Sequence, residues 1–175
     1  MGGKKKSRKI YLEGKPKKLW NTQLLQEELQ LMGEYGLRNK RELWKARSML
    51  KLIVRRARSL LSMTAEERAP LELPFKERLY KMGFIDDVNI PLDRVLSLDV
   101  RAVLERRLQT IIVRRGLAKT PYEARQLIAH GHIAINGRRI RSSGFLVPRD
   151  LEDKISYAPN SPFASRAAPA AGQSS

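Results

Sequence analysis

The stretch from Arg106 to Tyr157 constrains the fold of this chain more than any other. It runs through ERRLQTIIVRRGLAKTPYEARQLIAHGHIAINGRRI and closes on VPRDLEDKISY. Thr120-Pro121-Tyr122-Glu123 marks a helix start, with Thr as the cap, Pro at the first helical position and Glu three residues after the cap. That helix turns Ala124, Leu127 and Ile128 inward and stops near Gly131. His132-Ile133-Ala134-Ile135 then alternates into Asn136-Gly137, the preferred two-residue hairpin turn. Arg138-Arg139-Ile140-Arg141 returns with Ile140 inward. Leu146-Val147 and Ile155-Ser156-Tyr157 are expected as two further short strands, separated by an acidic turn over Asp150–Asp153. A helix pair followed by a hairpin leaves room for one small core and one outward surface.

That surface is built of donors and positive charge. Arg106, Arg107, Arg114, Arg115 and Lys119 are expected around the joint between the two helices, and Arg125 on the second helix. The helix start at Thr120 offers free N–H groups and a positive dipole end, suited to phosphate. Asn136, Arg138, Arg139 and Arg141 follow on the hairpin. The planar guanidinium fork can hold a phosphate or a base edge by two bonds. Aromatic residues are sparse here, which argues for shape and backbone recognition of structured RNA over single-strand stacking. His130 and His132 are the chain's two histidines. With no cysteine beside them they cannot close a zinc site, so they are expected to donate to phosphate or to pack at the helix end.

Upstream the pattern is helical. Residues 22–34 predict a short helix with Leu24, Leu25, Leu29 and Met32 on one side. Asn39 caps the next helix, which runs to about Leu61, roughly 33 Å. Its apolar stripe is Leu43, Ala46, Leu50, Ile53, Val54, Ala57, Leu60 and Leu61. Arg41, Lys45, Arg55 and Arg56 fall opposite, near Arg38, Lys40, Lys51 and Arg58, with Leu52 out of pattern. A solvated face usually mixes signs, and here Glu42 is the only acid, so this face is read as facing phosphate. Thr64 with Glu67 starts another helix that Pro70 and Pro74 are expected to interrupt, and Phe75–Met82 reads as a separate short one. Pro91 to Leu96 predicts a further turn, and Leu98–Arg115 a continuous helix ended by Gly116.

The net charge of +17 says little about fold and much about partners. It alternates: residues 1–20 carry +7, 21–36 carry −3, 37–61 carry +8, 62–100 carry −3, 101–141 carry +8. Three basic blocks with acidic joints suggest three contact surfaces. Nucleic acid is the first candidate partner and an anionic membrane the second. No run of apolar residues is long enough to span a bilayer, and MGGKKKSRKI has no apolar core of a secretory signal. Lys6 departs from the Ser or Thr of a myristoylation start. Residues 1–20 are read as an extended basic arm reaching about 65 Å, with Lys4, Lys5, Lys6, Arg8 and Lys9 on RNA. No nucleophile–base constellation, phosphate loop or dinucleotide fingerprint is visible, so no catalytic site, metal or cofactor is expected.

These motifs resemble a known family. ERRLQT, RRGLAKTPYEARQLIAHGHIAINGRRI and VPRDLEDKISY are similar to the RNA-binding module named after small-ribosomal-subunit protein four. That module also occurs as an appendage on pseudouridine synthases, some tyrosyl-tRNA synthetases and ribosome-rescue proteins. ELQLMGEYGLRNKRELWKARSML, at 28–50, is similar to the archaeal and eukaryotic form of the ribosomal protein itself. The resemblance spans roughly residues 8–157 and implies an α+β chain. Its expected parts are the arm (1–20), a helical rRNA-binding domain (21–105), the module (106–157) and a disordered tail (158–175). It implies direct, early binding to a multi-helix junction in the 5′ domain of small-subunit rRNA, nucleating assembly of the subunit body. It further implies a monomer within the cytoplasmic ribosome, near small-subunit protein five and the region where mRNA enters, with an effect on decoding accuracy. Some members carry a zinc-binding cysteine cluster near the N-terminus; this chain has no Cys, so that site is not carried over. An RNA-modifying enzyme would need a further catalytic domain, and a general nucleic-acid coating protein would show no preference for folded rRNA.

Overall fold

The computed structural model describes residues 11–16 and 21–164. Lys4, Lys5, Lys6, Arg8 and Lys9, and the chain beyond Ala164, lie outside the described residues. Packing divides the chain into two compact units, one formed by residues 1–72 and 89–103, the other by 73–88 and 104–175.

The first unit is helical. Helix α1 (Tyr11–Gly14) is a single turn where an extended arm was expected. It forms because it packs on the long helix α3 (Lys40–Leu61). The approach is so close that a Cβ on Gly14 would lie 2.0 Å from the Trp44 carbonyl oxygen. Lys51 Nζ donates to the Glu13 carbonyl at 2.7 Å and fastens the turn. Helix α2 (Thr22–Glu34) is capped by Asn21, whose Oδ1 accepts from the Gln23 and Leu24 N–H groups. Its inner face differs from the expected leucine side. Glu28 and Leu31 are buried, while Leu25 and Leu29 are exposed. A carboxylate can occupy that position because α3 brings two cations and an indole N–H to it. Asn39 caps α3 through Oδ1, which accepts from Glu42 N at 3.2 Å. Leu43, Ala46, Ala57 and Leu60 of the expected stripe are buried, and Leu50, Ile53, Val54 and Leu61 half-buried. Leu92 and Val95 of α5 (Leu92–Leu96) pack into the same core.

Helix α4 (Ala65–Met82) runs through Pro70 and Pro74, where breaks are expected from the sequence. Each proline removes the donor to the carbonyl four residues earlier. Those carbonyls belong to Glu66 and Pro70, both exposed, so water can satisfy them. The expected helix over 98–115 is in turn divided into α6 (Val100–Glu105) and α7 (Leu108–Arg114). Arg107 between them is extended, at φ −73° and ψ 141°. The reason is a competing partner: Leu108 N–H donates to Phe145 O at 2.8 Å and Val147 N–H to Arg106 O at 2.9 Å. Leu146–Val147 therefore bridges this break and does not join the sheet.

The rest of the second unit is α8 (Pro121–Ala129), β1 (Ile133–Ile135), β2 (Arg138–Arg139), α9 (Arg149–Glu152) and β3 (Ile155–Tyr157). The expected acidic turn is the short helix α9. The sheet is antiparallel in the order β2-β1-β3, with Ala134 opposite Arg139 on one side and Ser156 on the other. Asn136 (φ 51°) and Gly137 (φ 76°) take the two positive angles of the primed hairpin turn. All three β1 residues are buried, because β1 is the central strand. The core gathers Leu108, Ile111, Ile112, Leu127, Ile128, Ile133, Val147 and Ile155. Burying eight large aliphatic chains, at about 1.5–3 kcal/mol each, opposes the ordering entropy of this small unit. Residues 158–164, expected as part of a disordered tail, pack back onto it. Ala158 N–H donates to His132 O at 2.8 Å, and Phe163 meets the His132 ring edge-on at 5.1 Å.

Candidate nucleic-acid interface

On α3, Arg41, Lys45, Arg55 and Arg56 are exposed, as is Arg38 just before the helix. Among the described residues, Arg38, Lys45 and Arg56 pair with no carboxylate. Part of the basic face is covered by α1, where Arg55 lies 3.9 Å from Glu13. Lys40 points elsewhere: its Nζ is 3.1 Å from Glu28 Oε2. Arg47 reaches Glu28 Oε1 at 2.5 Å, and Trp44 Nε1 donates to the same oxygen at 3.3 Å. Lys40 and Arg47 thus satisfy a buried carboxylate, as a charge in that position requires. Arg101 pairs with Glu34 at 2.6 Å, and this hydrogen bond and charge hold its guanidinium more firmly protonated than usual.

In the second unit the basic residues split into two classes. Arg106 and Arg107, expected outward, are buried at 9% and 6% exposure. Arg106 holds Glu152 Oε2 with both terminal nitrogens at 3.0 Å. Arg115 is exposed but donates to the Glu152 carbonyl, so two of the expected RNA arginines fasten α9. Arg114 lies 3.5 Å from Glu105 with both side chains about half exposed, a contact that water screens. Arg149, absent from the expected set, donates to Ile85 O and to Asp86 Oδ1, each at 2.8 Å, and lies over the Tyr80 ring.

The start of α8 is less open than expected. Thr120 Oγ1 accepts from Glu123 N at 3.2 Å, and Glu123 Oε2 accepts from Lys119 N at 2.7 Å. This is a reciprocal cap displaced by one residue, and it sets the protein's own carboxylate at the dipole end. The Lys119 side chain remains exposed and Arg125 is half-buried. His130 is exposed at the helix end. His132 is half-buried, with Nδ1 3.1 Å from Ser161 Oγ, so it packs rather than projects. No group of three or more His, Asp or Glu that could hold a metal occurs among the described residues.

The hairpin is the open part of the surface. Asn136, Arg138, Arg139 and Arg141 are exposed, and no carboxylate pairs with these three arginines among the described residues. They line one groove of about 640 Å³, backed by Ile135, Ile140, Phe145 and Leu151. The arginines are legible in the sequence, whereas the apolar residues beside them come together only where the loop over 142–147 returns.

Residues 106–153 match the model of the S4 domain family, so the second unit contains an RNA-binding module of a recognised class. Over most of the chain there are closer relatives. It is 80% identical, across 156 residues, to "Small ribosomal subunit protein uS4" of Pyrobaculum neutrophilum, covering 89% of this chain and 98% of the relative. The protein of the same description from Caldivirga maquilingensis is 61% identical over 161 residues, 92% of this chain and 89% of the relative. That from Ignicoccus hospitalis is 53% identical over 167 residues, 95% and 99%. The chain belongs to the uS4 family of small ribosomal subunit proteins, and is a structural protein rather than an enzyme.

Proposed function

We propose that this chain binds small-subunit rRNA directly, at a junction of helices in the 5′ domain, and in doing so nucleates assembly of the subunit body. The observation that carries this reading is the hairpin of the S4 domain, where Arg138 and Arg139 on β2 and Arg141 just after it are exposed and meet no carboxylate among the described residues. Lys119, Thr120, Arg125, His130 and Asn136 of the same unit complete the contact, with Arg114 at its edge. Arg38, Arg41, Lys45, Arg55 and Arg56 form a second contact, and Lys4, Lys5, Lys6, Arg8 and Lys9, in the basic segment before α1, a third. Separate basic surfaces pin several RNA helices in fixed orientation, so affinity comes from phosphate contacts and selectivity from their spacing. Small-subunit protein five and the region where mRNA enters are the proposed neighbours, through which the chain contributes to decoding accuracy.

The test is binding of the purified chain to a 5′-domain transcript and to a length-matched unrelated RNA across a salt series. The expected result is a preference of about a hundredfold or more, with a log–log slope on the order of −7 to −9 for about ten neutralised phosphates. Equal affinities that vanish together as salt rises would move the chain to the class of general coating proteins.

A further inference from the structure

The groove under the hairpin has two features that charge alone does not explain. Its lining combines four apolar side chains, Ile135, Ile140, Phe145 and Leu151, with three arginines. Its volume of about 640 Å³ is that of a small-molecule site. Lattices of phosphate contacts need only a convex basic surface; a concave apolar wall among cations fits a ligand that is flat on one side and anionic on the other.

We propose that this groove receives one unpaired nucleotide of the bound RNA, its base against Phe145 and Ile140 and its phosphates on Arg138, Arg139 and Arg141. The inference rests on the reading of the chain as an RNA-binding protein and adds a specific receptor to it. A base inside a duplex hides both faces in the stack, so only an unpaired one presents a face to the phenyl ring. Asn136 and Ser142 on the groove wall each carry a donor and an acceptor, which a base edge can use. An acidic peptide would satisfy the arginines and leave the aromatic wall without a planar partner.

The receptor is set before any ligand arrives. The Phe145 carbonyl accepts from Leu108 N–H at 2.8 Å and its N–H donates to Ser142 O at 3.2 Å. Ile140 N–H donates to Ile133 O at 3.1 Å, and Asn136 N–H to Lys154 O at 3.0 Å. The backbone of the hairpin and of the returning loop is therefore fixed before binding, and the ordering left to do falls on the exposed arginine side chains.

The test uses the full chain and the 5′-domain transcript. Phe145→Leu keeps bulk and removes the ring. It is expected to weaken binding about tenfold and to leave the salt slope unchanged, because no charge is lost. Binding within twofold of the unaltered chain, at an unchanged circular-dichroism spectrum, overturns the inference. If that variant does not fold, the unaltered chain is photocrosslinked to transcripts carrying 4-thiouridine or 6-thioguanosine. A crosslink from a single unpaired position to the peptide holding Ile140–Phe145 supports the receptor; crosslinks confined to other peptides overturn it. If the unaltered chain shows no preference for the transcript, the RNA reading itself fails, which is a different result from a silent groove in a chain that binds.

Discussion

Two arginine pairs in the S4 domain look alike in sequence and do opposite things. Arg106-Arg107 opens the module and Arg138-Arg139 forms its second strand. The first pair is buried, and Arg106 closes on Glu152. The second is exposed and meets no carboxylate among the described residues. The difference is one of backbone. Arg107 is extended and bridges Leu146, and the Arg106 carbonyl accepts from Val147 N–H, so this pair is held against the 145–147 loop and its side chains are buried. Arg138-Arg139 lies on an edge strand, just past the hairpin turn, with solvent on its outer side. A positive charge in this chain is thus evidence of an RNA contact only after the packing of its backbone is known.

The comparison breaks most easily at Arg106. Arg106→Ala leaves Glu152 partly buried without its cation and is expected to cost about 2–3 kcal/mol, read by denaturant unfolding; Arg106→Ala with Glu152→Ala should cost less than Arg106→Ala alone. Glu28→Ala tests the same logic in the first unit. It leaves Lys40 and Arg47 facing an emptied pocket and is expected to lose about 2 kcal/mol, seen as a lower urea midpoint. Phe163→Ala removes the ring that covers His132 and Tyr157. Because Phe163 is only half-buried, a loss of about 1 kcal/mol is expected, and no loss would show that residues 158–164 do not stabilise the module. Arg138→Ala with Arg139→Ala sharpens the contrast from the other side: thermal unfolding should move by less than about 0.5 kcal/mol equivalent.

Local signals carried much of this fold. The bounds of α2 and α3, the Thr120-Pro121 helix start and the Asn136-Gly137 turn were legible because caps and turn residues act over three or four positions. What escaped depends on distant partners. The burial of Glu28 depends on α3, which brings Lys40, Arg47 and Trp44 to it from further along the chain in no local pattern. Arg106 and Arg107 read as helical and outward until the 145–147 loop claimed their backbone. Pro70 and Pro74 read as breaks, although exposed carbonyls tolerate them. The groove beside the hairpin needs Phe145 and Leu151 from two other segments. Its arginines were legible; its apolar wall was not.

The most direct test of the account is the salt dependence of binding to the 5′-domain transcript, measured for the unaltered chain and for Arg138→Ala with Arg139→Ala. If the hairpin pair contacts phosphate, the log–log slope becomes shallower by about 2 while the variant stays folded. An unchanged slope with unchanged affinity would contradict the claim that the exposed hairpin, rather than the buried pair at the module's start, is where this protein meets RNA.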